Sequence, residues 1–238
     1  MKKKIIFSIL LCLLLVITVG CASKARQSAI DFKNEYEAIN GKTLKGDIKY
    51  RDLTISDKNP YVKTTIADIA QKIQNKETFY LYVGDPLCPW CRSGLEKMIE
   101  VANKEKVTDI YYIDFWDDEH NEILRDLYEV QTVNKKDVVV KTKDAAEGYD
   151  VLIEAVKDFA QDYTLTKDGK TYEVGVKRTF GGDHFYFVNG ECKKYVSLRS
   201  DKLAKATDEL TEEVLKDQET NFTKFFEQLE VCTEESNC

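Results

Sequence analysis

Two cysteines one helical turn apart are the residues of this sequence best suited to chemistry. They stand in the segment Cys88-Pro89-Trp90-Cys91. An apolar run of strand length, Phe79 to Val83, precedes them, and apolar residues at helical spacing follow. This pattern predicts that the pair opens a helix directly after a buried strand. Free N–H groups and the helix dipole stabilise a thiolate there, and cysteines so placed titrate at about 3.5 to 7.5.

The predicted position gives the two cysteines different roles. Cys88 is the expected nucleophile, and Cys91, one turn into the helix, is the expected resolving cysteine. Pro89 fits the first helical turn, where its missing N–H removes no hydrogen bond. A structural disulfide and a zinc site are the alternatives. Zinc usually takes four ligands, and neither histidine of the chain, His120 or His184, stands at a ligand spacing, so we predict a redox pair and no metal.

Strand and helix patterns alternate around the pair, and the strand–helix–strand order predicts parallel strands. Helices are predicted at residues 66–73, 95–102, 123–128 and 149–163 and from residue 202 onward, and strands at residues 79–83, 110–116 and 138–140. Two β-hairpins are predicted, one with its turn at Asp168-Gly169 and the other with its turn at Asn189-Gly190. The chain is therefore expected to be an α/β protein.

This order of elements resembles the thioredoxin superfamily over residues 64–116 and 180–230. The segment from Asp85 to Arg92 looks like the family's active-site segment, and the stretch from Gly169 to Phe180 is similar to thioredoxin-like lipoproteins of Gram-positive bacteria. The resemblance implies a thioredoxin-like three-layer fold with a central mixed sheet and an insertion, about residues 131–179, before the last β-hairpin. It also implies thiol–disulfide exchange without a cofactor.

The resemblance suggests further residues around the pair. The family places a proline beside the cysteines just before the last hairpin, and Gly182 stands at that position here. We expect Trp90 to be exposed and to contact client peptides. We expect His184 to be a strand histidine bonded to the backbone, with a histidine that lies near the pair and tunes the thiolate as the alternative.

The family's proton acceptor has no direct counterpart. Thioredoxins carry a buried aspartate six residues before the first cysteine, and Tyr82 stands there in this chain. We expect the nearer Asp85 to be a solvated loop carboxylate, with a role as substitute proton acceptor as the alternative.

The N-terminus has the layout of an export signal. Three lysines at positions 2–4 precede an apolar run from Ile5 to Val19, which is too short for a comfortable transmembrane span. The run ends in Thr18-Val19-Gly20-Cys21, which resembles the lipobox of bacterial lipoproteins. We therefore expect lipidation at Cys21 and a location at the outer face of the cell membrane, with an ordinary signal peptide or an uncleaved anchor as the alternatives.

The expected organisation has four parts. They are a signal peptide (1–20), a tether (21–46) in which residues 30–39 could form a short helix, a thioredoxin-like domain (47–231) and a C-terminal tail (232–238).

Three further cysteines follow the pair, and an exported chain places them in an oxidising compartment. A Cys232–Cys238 disulfide is predicted at the end of the last helix, with a Cys192–Cys232 pairing as the alternative. In the predicted case, Cys192 is an inert thiol on the last hairpin.

The charge of the chain excludes one class of partner. Its net charge is −7, and no basic patch stands out, so nucleic acid is not an expected partner.

The predicted function is a membrane-anchored oxidoreductase that exchanges disulfides with exported proteins and is reset by a membrane or extracytoplasmic redox partner. The alternatives are a non-catalytic adapter or transport accessory lipoprotein with a structural disulfide in this motif, and metal delivery through the pair.

Overall fold

The structure is a computed structural model that describes residues 26–43, 48–117 and 121–227. Over these residues the chain is a mixed α/β protein with a mixed central sheet. The elements in chain order are α1 (residues 26–37), β1 (Tyr61–Lys63), α2 (Ile66–Gln74), β2 (Phe79–Gly84), α3 (Pro89–Lys104), β3 (Ile110–Asp114), β4 (Leu127–Val133), β5 (Lys136–Lys143), α4 (Tyr149–Ala155), β6 (Gln161–Lys167), β7 (Lys170–Arg178), β8 (Asp183–Val188), β9 (Glu191–Ser197) and α5 (Glu212–Phe226).

The central sheet has the strand order β1-β3-β2-β8-β9. Strands β1, β3 and β2 are parallel, whereas β8 is antiparallel to β2 and β9 is antiparallel to β8. In the register of β2 with β3, Tyr82 stands beside Tyr112 and Gly84 stands beside Asp114. Because β2 and β3 are parallel, both end at one edge of the sheet, the edge from which the chain continues to Cys88 and α3.

Successive side chains of a strand point to opposite faces of the sheet, so both faces carry apolar residues. Helices cover both faces. Leu81 and Val83 of β2 belong to an apolar cluster that includes residues of α2 and α4. Tyr82 belongs to a second cluster on the other face, together with residues of α1, α3 and α5. The cysteine pair lies at the edge of this second, tyrosine-rich cluster.

Helix α1 corrects the predicted tether at residues 21–46. Phe32 and Tyr36, four residues apart and so on one helical face, are 1% and 0% exposed. The Phe32 ring stacks on Tyr61 with centroids 4.2 Å apart and meets Tyr112 edge-on at 5.1 Å. The tether prediction is therefore wrong for α1, whose buried face is part of the domain core.

The segment between β3 and β8 also departs from the prediction. The helix predicted at residues 123–128 is wrong, because residues 127–133 form β4 and pair with β5. The helix predicted at residues 149–163 ends at Ala155, because residues 161–167 form β6 and pair with β7. The predicted insertion at residues 131–179 is therefore two hairpins with α4 between them.

The last helix begins later than predicted. It starts at Glu212 and not near residue 202, and the Thr211 side chain caps it by accepting from the Val214 N–H. The acidic pair Glu212 and Glu213 in its first turn complements the helix dipole.

Several local predictions are confirmed. Helices α2 and α3 and strands β2, β3 and β5 lie where the spacing of apolar residues placed them. The β6–β7 and β8–β9 hairpins turn at Asp168-Gly169 and Asn189-Gly190, and all four turn residues have positive φ. That backbone conformation is the reason for the Asx-Gly sequence of both turns.

No helix in the described ranges has the length and apolar character needed to cross a membrane. The predicted signal peptide, the lipid site Cys21, the cysteines Cys232 and Cys238, and His120 lie outside the described residues.

Candidate active site

The cysteine pair begins helix α3, as predicted. Cys88 is the N-cap residue, and its sulfur accepts a hydrogen bond from the Cys91 N–H at 3.2 Å. Pro89 occupies the first helical turn. Cys88 is half-buried and Cys91 is fully buried, and both are free thiols. The arrangement presents one reachable sulfur and keeps the second directly behind it.

A glycine lies against both sulfurs. The Cys88 thiol lies 3.7 Å from the Gly181 carbonyl oxygen and donates to it. A Cβ atom at Gly181 would stand 3.1 Å from the sulfur of Cys88 and 3.1 Å from that of Cys91. Gly182, the residue predicted to lie beside the pair, faces Leu198 instead and has a φ of +108°. The glycine beside the pair is therefore Gly181, one residue before the predicted Gly182.

The loop that carries Gly181 is fixed by a buried carboxyl group. Asp183 accepts hydrogen bonds from the Phe180 N–H at 2.7 Å and from the Tyr195 hydroxyl at 3.0 Å. Burial raises the pKa of Asp183 to about 6, against the effect of both hydrogen bonds. The Gly182 N–H donates to the Val83 carbonyl of β2 at 3.0 Å, so the loop is also tied to the strand that precedes the cysteines.

His184 lies in the core and does not bond to the pair. Its Nδ1 is 3.2 Å from the Gly182 carbonyl oxygen, which can only accept, so Nδ1 carries the proton. Its Nε2, 2.9 Å from the Tyr61 hydroxyl, then accepts from that hydroxyl. Burial lowers the pKa of His184 to about 3, which leaves the ring neutral at neutral pH. Both nitrogens are thus occupied, which agrees with the expected strand histidine and not with direct tuning of the thiolate by His184.

Tyr82 stands behind the buried cysteine. Burial raises the pKa of the Cys91 thiol well above its ordinary value, the hydrogen bond with Cys88 raises it further, and the hydrogen bond with Tyr82 acts in the opposite direction. The Tyr82 ring lies over Gly84, where any Cβ would overlap the ring and its hydroxyl. Gly84 is therefore needed for the observed position of the Tyr82 ring.

Trp90 is half-buried and not fully exposed as predicted. The Arg199 guanidinium lies over its ring, 4.6 Å from the centroid. The Ser93 hydroxyl donates to the Trp90 carbonyl at 2.8 Å. One face of the ring is thus covered by a cation–π contact.

Arg92, next to Cys91, is a residue whose importance the sequence analysis missed. It is 1% exposed. Its guanidinium donates to the carbonyls of Arg51 at 2.7 Å and Tyr36 at 2.8 Å, and to Asn40 Oδ1 at 2.6 Å. Tyr36 lies in the last turn of α1, where the negative end of the helix dipole favours a cation.

Asp85 shapes the loop before the cysteines. Its carboxylate accepts from the Leu87 N–H at 2.7 Å, and its carbonyl accepts from the Cys88 N–H at 3.1 Å. Its negative charge is one of the causes that raise the pKa of Cys91, after burial and the effects of Cys88.

An open cleft of about 210 Å³ runs beside this loop. Its lining includes Glu35 of α1, Lys63 of β1, Asp85, and Asp114 at the end of β3. No cluster of three or more metal-binding side chains occurs in the part of the chain that the structure describes.

Cys192 lies apart from the pair on β9. It is a half-buried free thiol that donates to the Lys194 carbonyl at 3.6 Å. Burial raises its pKa to about 12, so little thiolate forms at neutral pH. These properties agree with the predicted inert thiol.

No protein-family model matches this chain, and no curated protein matches it either. Its function is therefore inferred from the chemistry of the site.

Proposed function

We propose that this chain is a thioredoxin-like thiol–disulfide oxidoreductase that acts on exported proteins. One observation carries the proposal: a reachable Cys88 thiol at a helix N-terminus, with a buried Cys91 thiol one turn behind it. The N–H of Cys91 points at the Cys88 sulfur and stabilises negative charge on it.

The arrangement of elements supports a thioredoxin-like fold. The pair follows β2 and opens α3, the β8–β9 hairpin joins the same sheet beside β2, and the C-terminal helix α5 packs against α3. Helices cover both faces of the sheet. Two hairpins, β4–β5 and β6–β7, are additions around α4.

The reaction is a two-step exchange. The Cys88 thiolate attacks a client disulfide, forms a mixed disulfide and releases one client sulfur as a thiolate. Cys91, once deprotonated, attacks the Cys88 sulfur, forms the Cys88–Cys91 disulfide and releases the second client sulfur. The client gains two electrons and the pair loses two, and a membrane or extracytoplasmic redox partner resets the pair. Running the same steps in reverse oxidises a client dithiol.

The location belongs to the same proposal. The export signal and the lipid site Cys21 would hold the domain at the outer face of the membrane, where its clients are exported proteins.

The test is a trapping experiment with Cys91→Ala. This variant retains the nucleophile but cannot resolve the mixed disulfide, so Cys88 should accumulate covalent client complexes that a reducing agent dissolves. Cys88→Ala should trap nothing, and Cys192→Ala is the matched control that should reduce insulin at the wild-type rate. Absence of complexes together with absence of insulin reduction would refute the enzyme proposal.

A measurement of the reduction potential distinguishes the proposed oxidoreductase from the alternative, an adapter with a structural disulfide. A structural disulfide should have a potential below about −300 mV, whereas an exchanging pair should lie above it.

A further inference from the structure

A second open cleft lies between helix α4 and the β6–β7 hairpin. Its volume is about 220 Å³, and its lining includes Tyr149 and Ile153 of α4, Tyr163 of β6, and Val176 and Arg178 of β7. Val176 is an exposed apolar residue, and Ile153 is half-buried. The two-step exchange uses none of these residues, so this cleft, called the Arg178 cleft below, has no assigned role.

A bulge in the hairpin forms one wall of the Arg178 cleft. Between two successive pairs of the β6–β7 ladder, Tyr163 alone faces residues 174–176. Gly175, in the middle of these residues, has a φ of +86°. Bulges of this kind recur beside functional sites, because they redirect the side chains around them.

The Arg178 guanidinium is held in place but has no anionic partner. It lies over the rings of Tyr163 and Phe180, 4.2 Å and 4.3 Å from their centroids. Its Nε is buried without a hydrogen-bond partner, and no carboxylate of the described residues forms an ion pair with it. Because nearly all buried polar groups in proteins have partners, this orphaned N–H indicates a position for a bound acceptor.

The other positive groups of the cleft are already paired. Arg125 donates to Glu122 Oε2 from two nitrogens, at 3.1 Å and 2.6 Å, and Lys177 forms an ion pair with Asp162 at 3.3 Å. Burial lowers the pKa of Arg178, and the positive charge of Arg125 lowers it further. An anion bound at Arg178 would oppose both effects.

The acidic residues of the cleft restrict the kind of anion. Asp126, Asp150 and Glu154 also line it. Asp126 pairs with Lys141 at 2.9 Å and Glu154 pairs with Lys157 at 2.6 Å, whereas Asp150 is exposed. These carboxylates repel a phosphate dianion more strongly than a single carboxylate. With the apolar side chains of the lining, they favour a carboxylate attached to an apolar group.

The Arg178 cleft is close to the cysteine pair along the chain. Arg125 donates to the carbonyl of Thr179 at 3.2 Å, and Thr179 follows Arg178 directly. The Gly181 carbonyl accepts from the Cys88 thiol. Three residue steps separate Arg178 from Gly181, which is at most about 11 Å. An extended client attached to Cys88 can span a similar distance with a few residues.

We propose that the Arg178 cleft is a client subsite that binds a carboxylate next to an apolar side chain. This inference rests on the proposed function and names the class of client, a segment with an acidic and an apolar residue near its cysteine. The Arg178 fork would bind the carboxylate, and Ile153 and Val176 would pack against the apolar side chain.

The experiment compares matched peptides. Each carries its cysteine as a thiopyridyl disulfide, with a leucine–glutamate or a leucine–glutamine pair placed at increasing distance on either side. In the Cys91→Ala variant, attack by Cys88 breaks this disulfide, forms the mixed disulfide with the peptide and releases one thiopyridone, which absorbance follows.

At one placement the glutamate peptide should react about 10-fold faster than its glutamine partner at low peptide concentration, as expected for a charge-assisted hydrogen bond. The net charge of the chain is −7, so long-range electrostatics favour the glutamine peptide. A preference for glutamate therefore requires a local cation.

Two variants remove this cation in different ways. Arg178→Met removes the guanidinium and keeps an apolar side chain between the rings. Val176→Glu keeps the guanidinium but supplies a competing carboxylate from an exposed position of the same strand. Both should abolish the preference for glutamate and leave the rate with dithiodipyridine unchanged. Lys170→Met, at the exposed first residue of β7, removes an equal charge and should retain the preference.

The outcomes separate the subsite from the proposed function. Equal rates for every glutamate and glutamine pair, or a preference that survives in both variants, would overturn the subsite. Calorimetric binding of N-acetylleucine that Arg178→Met abolishes, without a peptide preference, would assign the cleft to a free carboxylate and also overturn it. These results leave the oxidoreductase proposal intact, whereas failure of Cys88 to release thiopyridone from any peptide or from dithiodipyridine would overturn that proposal itself.

Discussion

Two sulfurs and one glycine define the contact surface of the proposed site. Gly181 approaches both thiols so closely that a methyl group there would press on Cys88 and Cys91 at 3.1 Å each. Contacts this short force a shift of a few tenths of an ångström, because a well-packed site has little free volume.

Replacing Gly181 by alanine should therefore slow the attack of Cys88 on a client disulfide. We expect roughly a 10-fold loss in the rate of mixed-disulfide formation, since small displacements at a reacting centre have large kinetic effects. Stopped-flow measurement with a disulfide reagent provides the rate, and the slow reaction of Cys192 in the same chain reports any general loosening. An unchanged Cys88 rate would show that the loop moves aside without consequence.

The sequence predicts the cysteines and their helix because those signals are local. It misplaces the neighbouring glycine by one position, because the path of the loop between β7 and β8 depends on Asp183, Val83 and Leu198, which hold it by tertiary hydrogen bonds. The hydrogen-bond partner of the Tyr82 hydroxyl is even less predictable, because Tyr36 lies 46 residues earlier in the chain.

At the scale of elements, a buried cation ties α1 to the site. Arg92 reaches from the first turn of α3 to the end of α1 and to the chain at Arg51. Its hydrogen bonds go to uncharged oxygens of Tyr36, Arg51 and Asn40. A buried cation so placed is difficult to replace, because its removal leaves those oxygens unpaired.

Arg92→Met should destabilise the fold by about 1–3 kcal/mol, the usual effect of leaving buried acceptors without their donor. Urea denaturation measures the free energy of unfolding, and hydrogen exchange should show α1 opening before the sheet. Lys97→Met, which removes a pair of α3 with exposed Glu100, is the control and should change stability by less than about 1 kcal/mol. Equal effects of the two substitutions would contradict the clamping role of Arg92.

The elements that the sequence predicts well are those whose pattern and packing agree. Helix α2 has a Thr65–Asp68 capping box followed by apolar residues at helical spacing, and β2 is a short aromatic and aliphatic run. At residues 123–128 the apolar spacing favours a helix, but the β-branched residues that follow pair with β5, and this pairing prevails. Helix α1 escaped notice as part of the core because its partners, Tyr61 and Tyr112, come from distant strands.

For the whole molecule, two adjacent buried groups make stability depend on pH in opposite senses. Asp183 has a folded-state pKa of about 6, above its ordinary value of 3.8, so its contribution is lost as pH rises from about 4 to about 6. His184 has a folded-state pKa of about 3, below its ordinary value of 6.5, so its contribution is lost as pH falls below about 6.5.

Asp183→Asn isolates the first of these effects. The variant stays neutral, so its stability relative to wild type should improve by roughly 3 kcal/mol between pH 4 and pH 7, which corresponds to a shift of about two pKa units. Any lost hydrogen bond adds an offset that does not depend on pH. Urea denaturation of both proteins at several pH values gives the difference, and a constant difference would contradict the raised pKa of Asp183.

Because α1 is part of the core, the segment that would link the domain to its proposed lipid anchor is short. With the proposed lipid on Cys21, only five residue steps separate the anchor from Arg26, the first described residue of the helix. At about 3.6 Å per step that link spans at most about 18 Å, whereas a flexible stretch to residue 46 would span about 90 Å. On the proposed function, the domain would therefore act close to the bilayer, on chains that have only just emerged from it.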